Sequence, residues 1–308
     1  MKQHWVGAGA PLLCILLGGL LGLPRASADG GPRAFESPEA LVEAMVAAAG
    51  ANDDASLQAI AGPDGGDFVQ NGADPSVARV RAEFARNAAT FWKLRDNADG
   101  TKTLVVGDGR WPLPVPIRRY QDGWKLDVEA GREEMRLRRI GRNELDAIRL
   151  ARLYVDAQQA YHEKDRDGDG VREYAQRIRS TPGRRDGLYW PTGADGEESP
   201  FGPLVASLQS YLEATTPTDP VGGYHWRVLK FQGSQAPGGQ HPYVINGNMI
   251  AGFGLMGVPA RYGETGVMTF LVSHHGDVYE KDLGACTKRW ASINEVYNPG
   301  DDWRRVED

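Results

Sequence analysis

One stretch limits the folds open to this chain more than any other. Between Gly131 and about Lys164, the residues Ala147, Leu150, Ala151, Tyr154, Ala157 and Tyr161 recur at intervals of three and four. That spacing predicts a long amphipathic helix with one buried face, and Arg149, Arg152, Asp156 and Gln159 lie mostly outside it. A break near Gly141 is compatible with the pattern. Beyond residue 220, "GYHWRVLKFQG", "HPYVINGNMIAGFGLMGVPA", "GVMTFLVSHHG" and "DVYEKDLG" alternate strand-like runs with Gly, Pro and Asn turns. Residues 131–308 therefore read as a long helix followed by a loop region and an antiparallel sheet.

The helix runs directly into "DRDGDGVREY", residues 165–174. Asp165, Asp167 and Asp169 stand at the first, third and fifth positions of a calcium-type loop. Gly170 follows at the sixth, where the chain must turn sharply, and Val171 can offer its carbonyl from the seventh. The twelfth position, where a bidentate glutamate would close the cage, is the neutral Gln176. Glu173 is the last acid of the loop 165–176 and can replace it, giving about five protein ligands for Ca2+, with water or a distant acid completing the shell. The expected affinity is that of extracellular modules, roughly 10⁻⁴–10⁻³ M, and the expected role is a structural brace. The alternative is a solvated Asp/Gly turn after a helix. Four acids at this spacing repel one another without a cation, which favours the metal.

Upstream, the signals are for an α+β module spanning residues 29–130. "SPEALVEAMVAAAG" places Ser37 as N-cap and Pro38 at the first helical position. "DDASLQAIAG" repeats the device with Asp53 or Asp54. A third helix starts at Asp74 and Pro75, with Val77, Val80, Phe84 and Ala88 expected on its buried face. The period then changes, and "TKTLVVG", "PVPIRRY" and "GWKLDVEAG" read as strands of a small antiparallel sheet. Pro112, Pro114 and Pro116 suggest a protected edge. Three helices followed by such a sheet resemble the nuclear-transport-factor-2-like and cystatin-like cone folds.

Residues 1–28 stand apart. A polar start, a Leu/Gly-rich run from Val6 to Leu23 and "ASA" before Asp29 have the layout of a cleaved signal peptide. No later segment reaches the roughly 18 apolar residues of a spanning helix, so no membrane span is expected after cleavage. The expected location is the periplasm or the exterior. Loss of Lys2 and Arg25 takes the formal charge from −6 to −8, which argues against a nucleic-acid partner. The mature chain keeps one cysteine, Cys286, so no internal disulfide can form.

No catalytic pattern is present: there is no GxSxG, HExxH or CxxC. His274 and His275 are expected in a strand, pointing to opposite faces. In "TPGRRDGLYWP", Arg184 and Arg185 could pair with an anionic ligand while Tyr189 and Trp190 stack on a sugar or peptide. A loop pinned into the core by its aromatics, with Asp186 paired to an arginine, is the competing reading.

Two resemblances follow from longer strings. "IGRNELDAIRLARLYVDAQQAYHEKDRDGDGVREYAQR", "TPGRRDGLYWP", "ESPFGPL" and "VPARYGETGVMTFLVSHHGDVYEKDLG" resemble an uncharacterised exported bacterial family catalogued as domain of unknown function 2950. This resemblance implies no established activity and no catalytic residues. The helix from Asn143 with the strands and the "GDVYEKDLG" ending is also similar to type IV pilin-like and pseudopilin heads. These pack a long helix on an antiparallel sheet, and some pseudopilins carry calcium in loops. This chain lacks their apolar N-terminal helix half, so only the head architecture is implied.

The functional expectation is a non-catalytic binding or assembly module, braced by calcium, with an envelope protein or polymer as partner. An envelope hydrolase using Glu264, Asp277 or Glu280 beside His225 or His274 is one alternative. A periplasmic chaperone or accessory factor is the other.

Overall fold

The computed structural model describes residues 31–166, 168–192, 196–202 and 219–307. The segment 1–28, expected to be a signal peptide, and Asp167 lie outside the described residues. The chain divides into two compact units, one ending at Gly131 and one beginning at Arg132. Both combine helices with antiparallel sheet, so the fold class is α+β.

In the first unit, α1 (Pro38–Gly50), α2 (Asp54–Ala61) and α3 (Pro75–Thr90) each begin at the side-chain cap that the sequence offers. Ser37 accepts from the Ala40 N–H, Asp53 from Ser56 and Asp74 from Ser76, satisfying N–H groups that a helix start leaves bare. A 3₁₀ turn, Pro63–Phe68, follows α2. The strands β1 (Trp92–Asp96), β2 (Lys102–Val106), β3 (Trp111–Pro112), β4 (Ile117–Tyr120) and β5 (Gly123–Leu126) make one antiparallel sheet. Its order is β1-β2-β4-β5, with β3 also pairing with β2. Leu41, Val42, Ile60, Leu104 and Ile117 form the centre of this unit's core.

One position on the expected buried face of α3 needs correcting. Val80 is 62% exposed, whereas its neighbour Arg81 is 8% exposed. The Arg81 guanidinium donates to Asn52 Oδ1 at 2.7 Å, to Asp54 Oδ1 and to the Gln70 carbonyl. Three acceptors, one of them charged, offset the cost of desolvating a cation. Arg81 therefore takes the place expected for Val80 on the inward side, beside half-buried Val77 and Phe84 and buried Ala88.

The helix α4 runs continuously over Val128–His162, without a break at Gly141. Asp127 accepts from the Ala130 N–H at 3.1 Å, so a carboxylate starts this helix as well, three residues before the expected position. The six residues of the expected stripe, Ala147 to Tyr161, are all buried. The second unit's strands are β6 (Tyr224–Leu229), β7 (Phe231–Gln232), β8 (His241–Pro242), β9 (Val244–Ile245) and β10 (Asn248–Met249). They continue with β11 (Gly254–Pro259), β12 (Met268–Ser273), β13 (Val278–Asp282), β14 (Val296–Tyr297) and β15 (Arg304–Arg305), and a short helix α5 (Thr287–Ile293) precedes β14.

The main sheet has the order β15-β13-β12-β11-β6 and is antiparallel throughout. Its register places Arg227, Met256, Leu271 and Tyr279 on one face. Arg227 donates to the Ala291 carbonyl at 2.7 Å, so α5 covers that face. Trp226, Leu255, Phe270 and Val278 alternate onto the other. Leu255, Phe270 and Val278 share one buried cluster with the α4 stripe, and Trp226 packs against it.

Polar groups on α4 fix the β11–β12 loop. Arg136 donates to the Gly263 carbonyl, Arg139 to Glu264 and Asn143 to Thr265. Glu144 accepts from the N–H groups of Val267 and Met268 at 2.8 and 3.0 Å. Every one of these bonds is made to the loop's backbone.

Candidate functional site

The C-terminal end of α4 and the aspartate loop are built together. Arg166 turns back to donate from Nε to the Tyr161 carbonyl and from Nη2 to the Ala160 carbonyl, both at 3.3 Å. It thereby satisfies carbonyls that the helix end leaves bare. Its third branch meets Glu197 Oε1 at 3.1 Å, and its plane lies over Tyr161 and Trp190.

From there the chain winds around Asp165. One carboxylate oxygen accepts from the Gly168 N–H at 2.8 Å and the other from Gly170 at 2.9 Å. Gly168 and Gly170 have φ of +79° and +87°, a conformation that a side chain disfavours. Asp169 accepts from the Val171 N–H and from Asn248 Nδ2, at 2.8 and 2.7 Å. Glu173 accepts from the Met249 N–H at 3.0 Å, the Tyr174 N–H donates to the Met249 carbonyl, and Gln176 donates to the Gly247 carbonyl. Asp169, Glu173 and Gln176 therefore tie the loop to the β9–β10 hairpin. The neutral residue at position twelve has a use of its own, as a donor to that hairpin.

The exit of the loop is fixed from below. Gln158, fully buried on α4, accepts from the Ala175 N–H and donates to the Ala175 carbonyl, each at 2.8 Å, and donates also to Tyr154 Oη. Tyr154 in turn donates to the Gly254 carbonyl. Loop, helix and sheet are joined through one amide.

A hard cation in this loop would be held by oxygen donors. Each oxygen of Asp165 accepts a backbone N–H of the loop, and one oxygen of Glu173 accepts from the hairpin. Among the described residues, no three His, Cys, Asp or Glu side chains converge as a metal-binding group. A complete donor set therefore needs Asp167 together with Asp165, Asp169, the Val171 carbonyl and Glu173.

The second expected cluster separates into two fates. Arg184 is exposed on the turn that its N–H closes with the Thr181 carbonyl. Arg185 pairs with Glu197 and lies over Trp190, which is 6% exposed and donates to the Glu197 carbonyl. Tyr189 is half-buried under Arg179, and its backbone bridges to Ile178 and Ser180. Lys164, with Arg185 and Arg166, holds the Glu197 carboxyl below its usual range. Burial pushes Asp186 upward, but the N–H and hydroxyl of Thr181, with Arg177, outweigh it and hold that carboxyl low.

The histidines differ from expectation. β12 ends at Ser273, and His274 and His275 sit in the following turn with ring centroids 4.2 Å apart. They do not point to opposite faces, because they are not in the strand. His274 is ringed by Tyr243 and Phe253, and its buried Nδ1 has no hydrogen-bond partner among the described residues. Burial first, and then the neighbouring His275, lower its tendency to protonate. Glu264, Asp277 and Glu280 pair with Arg261, Arg305 and Arg304 respectively. Cys286 is exposed ahead of α5.

A family profile described as a protein of unknown function (DUF2950) matches residues 32–306. The chain belongs to the DUF2950 family. No curated protein and no solved structure matches it. Among the described residues no helix is long and apolar enough to cross a membrane. The α4 stripe and the aspartate loop are joined by Gln158 and Arg166. Sequence reading missed both joints. The signal for Gln158 was its place between Tyr154 and Tyr161 on an otherwise apolar stripe.

Proposed function

We propose that this DUF2950 protein is an exported, non-catalytic binding or assembly module of the cell envelope, in which the loop 165–176 holds Ca2+ as a brace. The observation that carries the reading is the way Asp169 and Glu173 reach the β9–β10 hairpin while Asp165 gathers the loop's own N–H groups. A cation held by Asp165, Asp167, Asp169, the Val171 carbonyl and Glu173 would neutralise four clustered carboxylates. It would also stiffen the link between the end of α4 and the hairpin. Such a group supplies charge and geometry and no reaction step. The leader-like residues 1–28 support export, and an envelope protein or polymer is the partner class that follows. Arg184, exposed on its turn, is the member of the "TPGRRDGLYWP" stretch best placed to meet an anionic partner.

Thermal unfolding of the mature protein in calcium against chelator tests the brace. With an affinity of roughly 10⁻⁴–10⁻³ M, 10 mM calcium should add about 1.4–2.7 kcal/mol, or about 3–10 °C in Tm. Asp165→Ala and Asp167→Ala should abolish the shift. A Tm that ignores calcium in the parent protein would end the proposal.

A further inference from the structure

The first unit carries an open groove of about 560 Å³ between α1 and the junction of α3 with β1. Glu43, Val46 and Ala47 line it from α1, and Ala89, Phe91 and Trp92 from the other side. The two helices meet closely at their far end, where a Cβ on Gly50 would lie 3.5 Å from that of Ala85. Glu43 and Trp92, each seven residues along the chain from that contact, line the groove's other end. Its volume is in the range of small-molecule sites, about 300–1,000 Å³.

The chemistry of the walls is one-sided. Glu43 is exposed and takes no hydrogen bond or ion pair among the described residues. α3 ends at Thr90 with no basic residue in its own last turn, so its carbonyl end presents partial negative charge. Arg110 lies over Phe91 and occupies that ring, while Trp92 keeps an aromatic face without a cation among the described residues. Alanines and Val46 supply short apolar walls that a slender chain can lie along.

From this we infer that the groove binds a small amphiphilic cation, an alkylammonium whose head sits between the Glu43 carboxylate and the Trp92 ring. Its chain would lie over Val46, Ala47 and Ala89. A carboxylate, the helix end and an aromatic face all favour positive charge, and each acts on the same end of the ligand. An anion of the same length is repelled by all three, and a neutral alcohol gains only the apolar contact. This inference does not depend on the calcium loop, which lies in the other unit.

The test is amide and indole chemical-shift mapping on the mature protein with three probes of equal length: hexyltrimethylammonium, hexanol and hexanoate. The ammonium should give saturable shifts confined to residues 43–47 and 88–92. Hexanol should bind more weakly, and hexanoate should give no saturable shift. Glu43→Gln, at an exposed position, should weaken the ammonium by about fivefold while leaving Tm unchanged. Ala89→Leu, also exposed, should close the groove and abolish binding of both the ammonium and the alcohol. Equal binding of hexanoate, shifts scattered over the molecule, or a Glu43→Gln protein that binds as well as the parent would each overturn the proposal.

Discussion

Replacing Gln158 by Leu should uncouple the loop exit from α4 at a cost that follows from the bonds it removes. The residue is fully buried and makes three bonds of 2.8 Å, two with the Ala175 backbone and one with Tyr154 Oη. Leucine has similar volume, so the cavity term is small. The damage comes from stranding a backbone N–H and a carbonyl at Ala175, itself 1% exposed. Each buried polar group left without a partner costs about 1–3 kcal/mol. The apolar gain of a buried leucine offsets part of this, and a net loss of about 3 kcal/mol is expected. For a unit of this size that is a fall of about 6–12 °C in Tm. Urea unfolding followed by far-ultraviolet circular dichroism measures it directly, with an unchanged slope showing that the unfolded state is not the cause. Glutamine to alanine should cost more, because it adds a void. If Gln158→Leu unfolds within about 1 kcal/mol of the parent, the amide is not the joint described, and water or a backbone shift satisfies Ala175 instead.

Val80 and Arg81 of α3 give a paired test: Val80→Lys should lie within about 0.5 kcal/mol of the parent, while Arg81→Ala should cost about 2–4 kcal/mol by stranding Asp54, Asn52 and the Gln70 carbonyl. The opposite ranking in thermal melts would restore Val80 to the inward side. His274 carries a pH signature. Its folded affinity for a proton is lowered, so the unfolded chain binds more protons below about pH 6.5. Stability from this group is therefore complete above that pH and declines as the pH falls through the folded value. His274→Phe should flatten the curve of Tm against pH between pH 7 and 5, and a curve of unchanged slope would remove His274 as its cause.

Much of the local structure was legible because it rests on short-range physics. Ser37, Asp53 and Asp74 cap helices through bonds that span two or three residues, so the sequence contains both partners. The stripe from Ala147 to Tyr161 was equally plain, since a helix buries one face whatever covers it. The aspartate loop is also local in part, because Asp165 bonds Gly168 and Gly170. Its other half was hidden: Asn248 and Met249 lie some 80 residues away, and nothing in the spacing of the aspartates names them.

The remaining differences have one physical cause. Sequence pattern sorts residues by polarity, and tertiary structure satisfies polar groups wherever acceptors and donors converge. Arg81 and Gln158 are buried because distant backbone and side chains bond them, which hydropathy cannot register. His274 and His275 share a turn because β12 stops at Ser273, the last of the residues paired with β11. The sequence by itself determined α1, α2 and α3 with their starts, the long stripe of α4, the change to strand period and the acidic loop that follows α4. Only the packed chain decided which hairpin that loop holds, which polar residues join the core, and that a groove lined by Glu43 and Trp92 stays open.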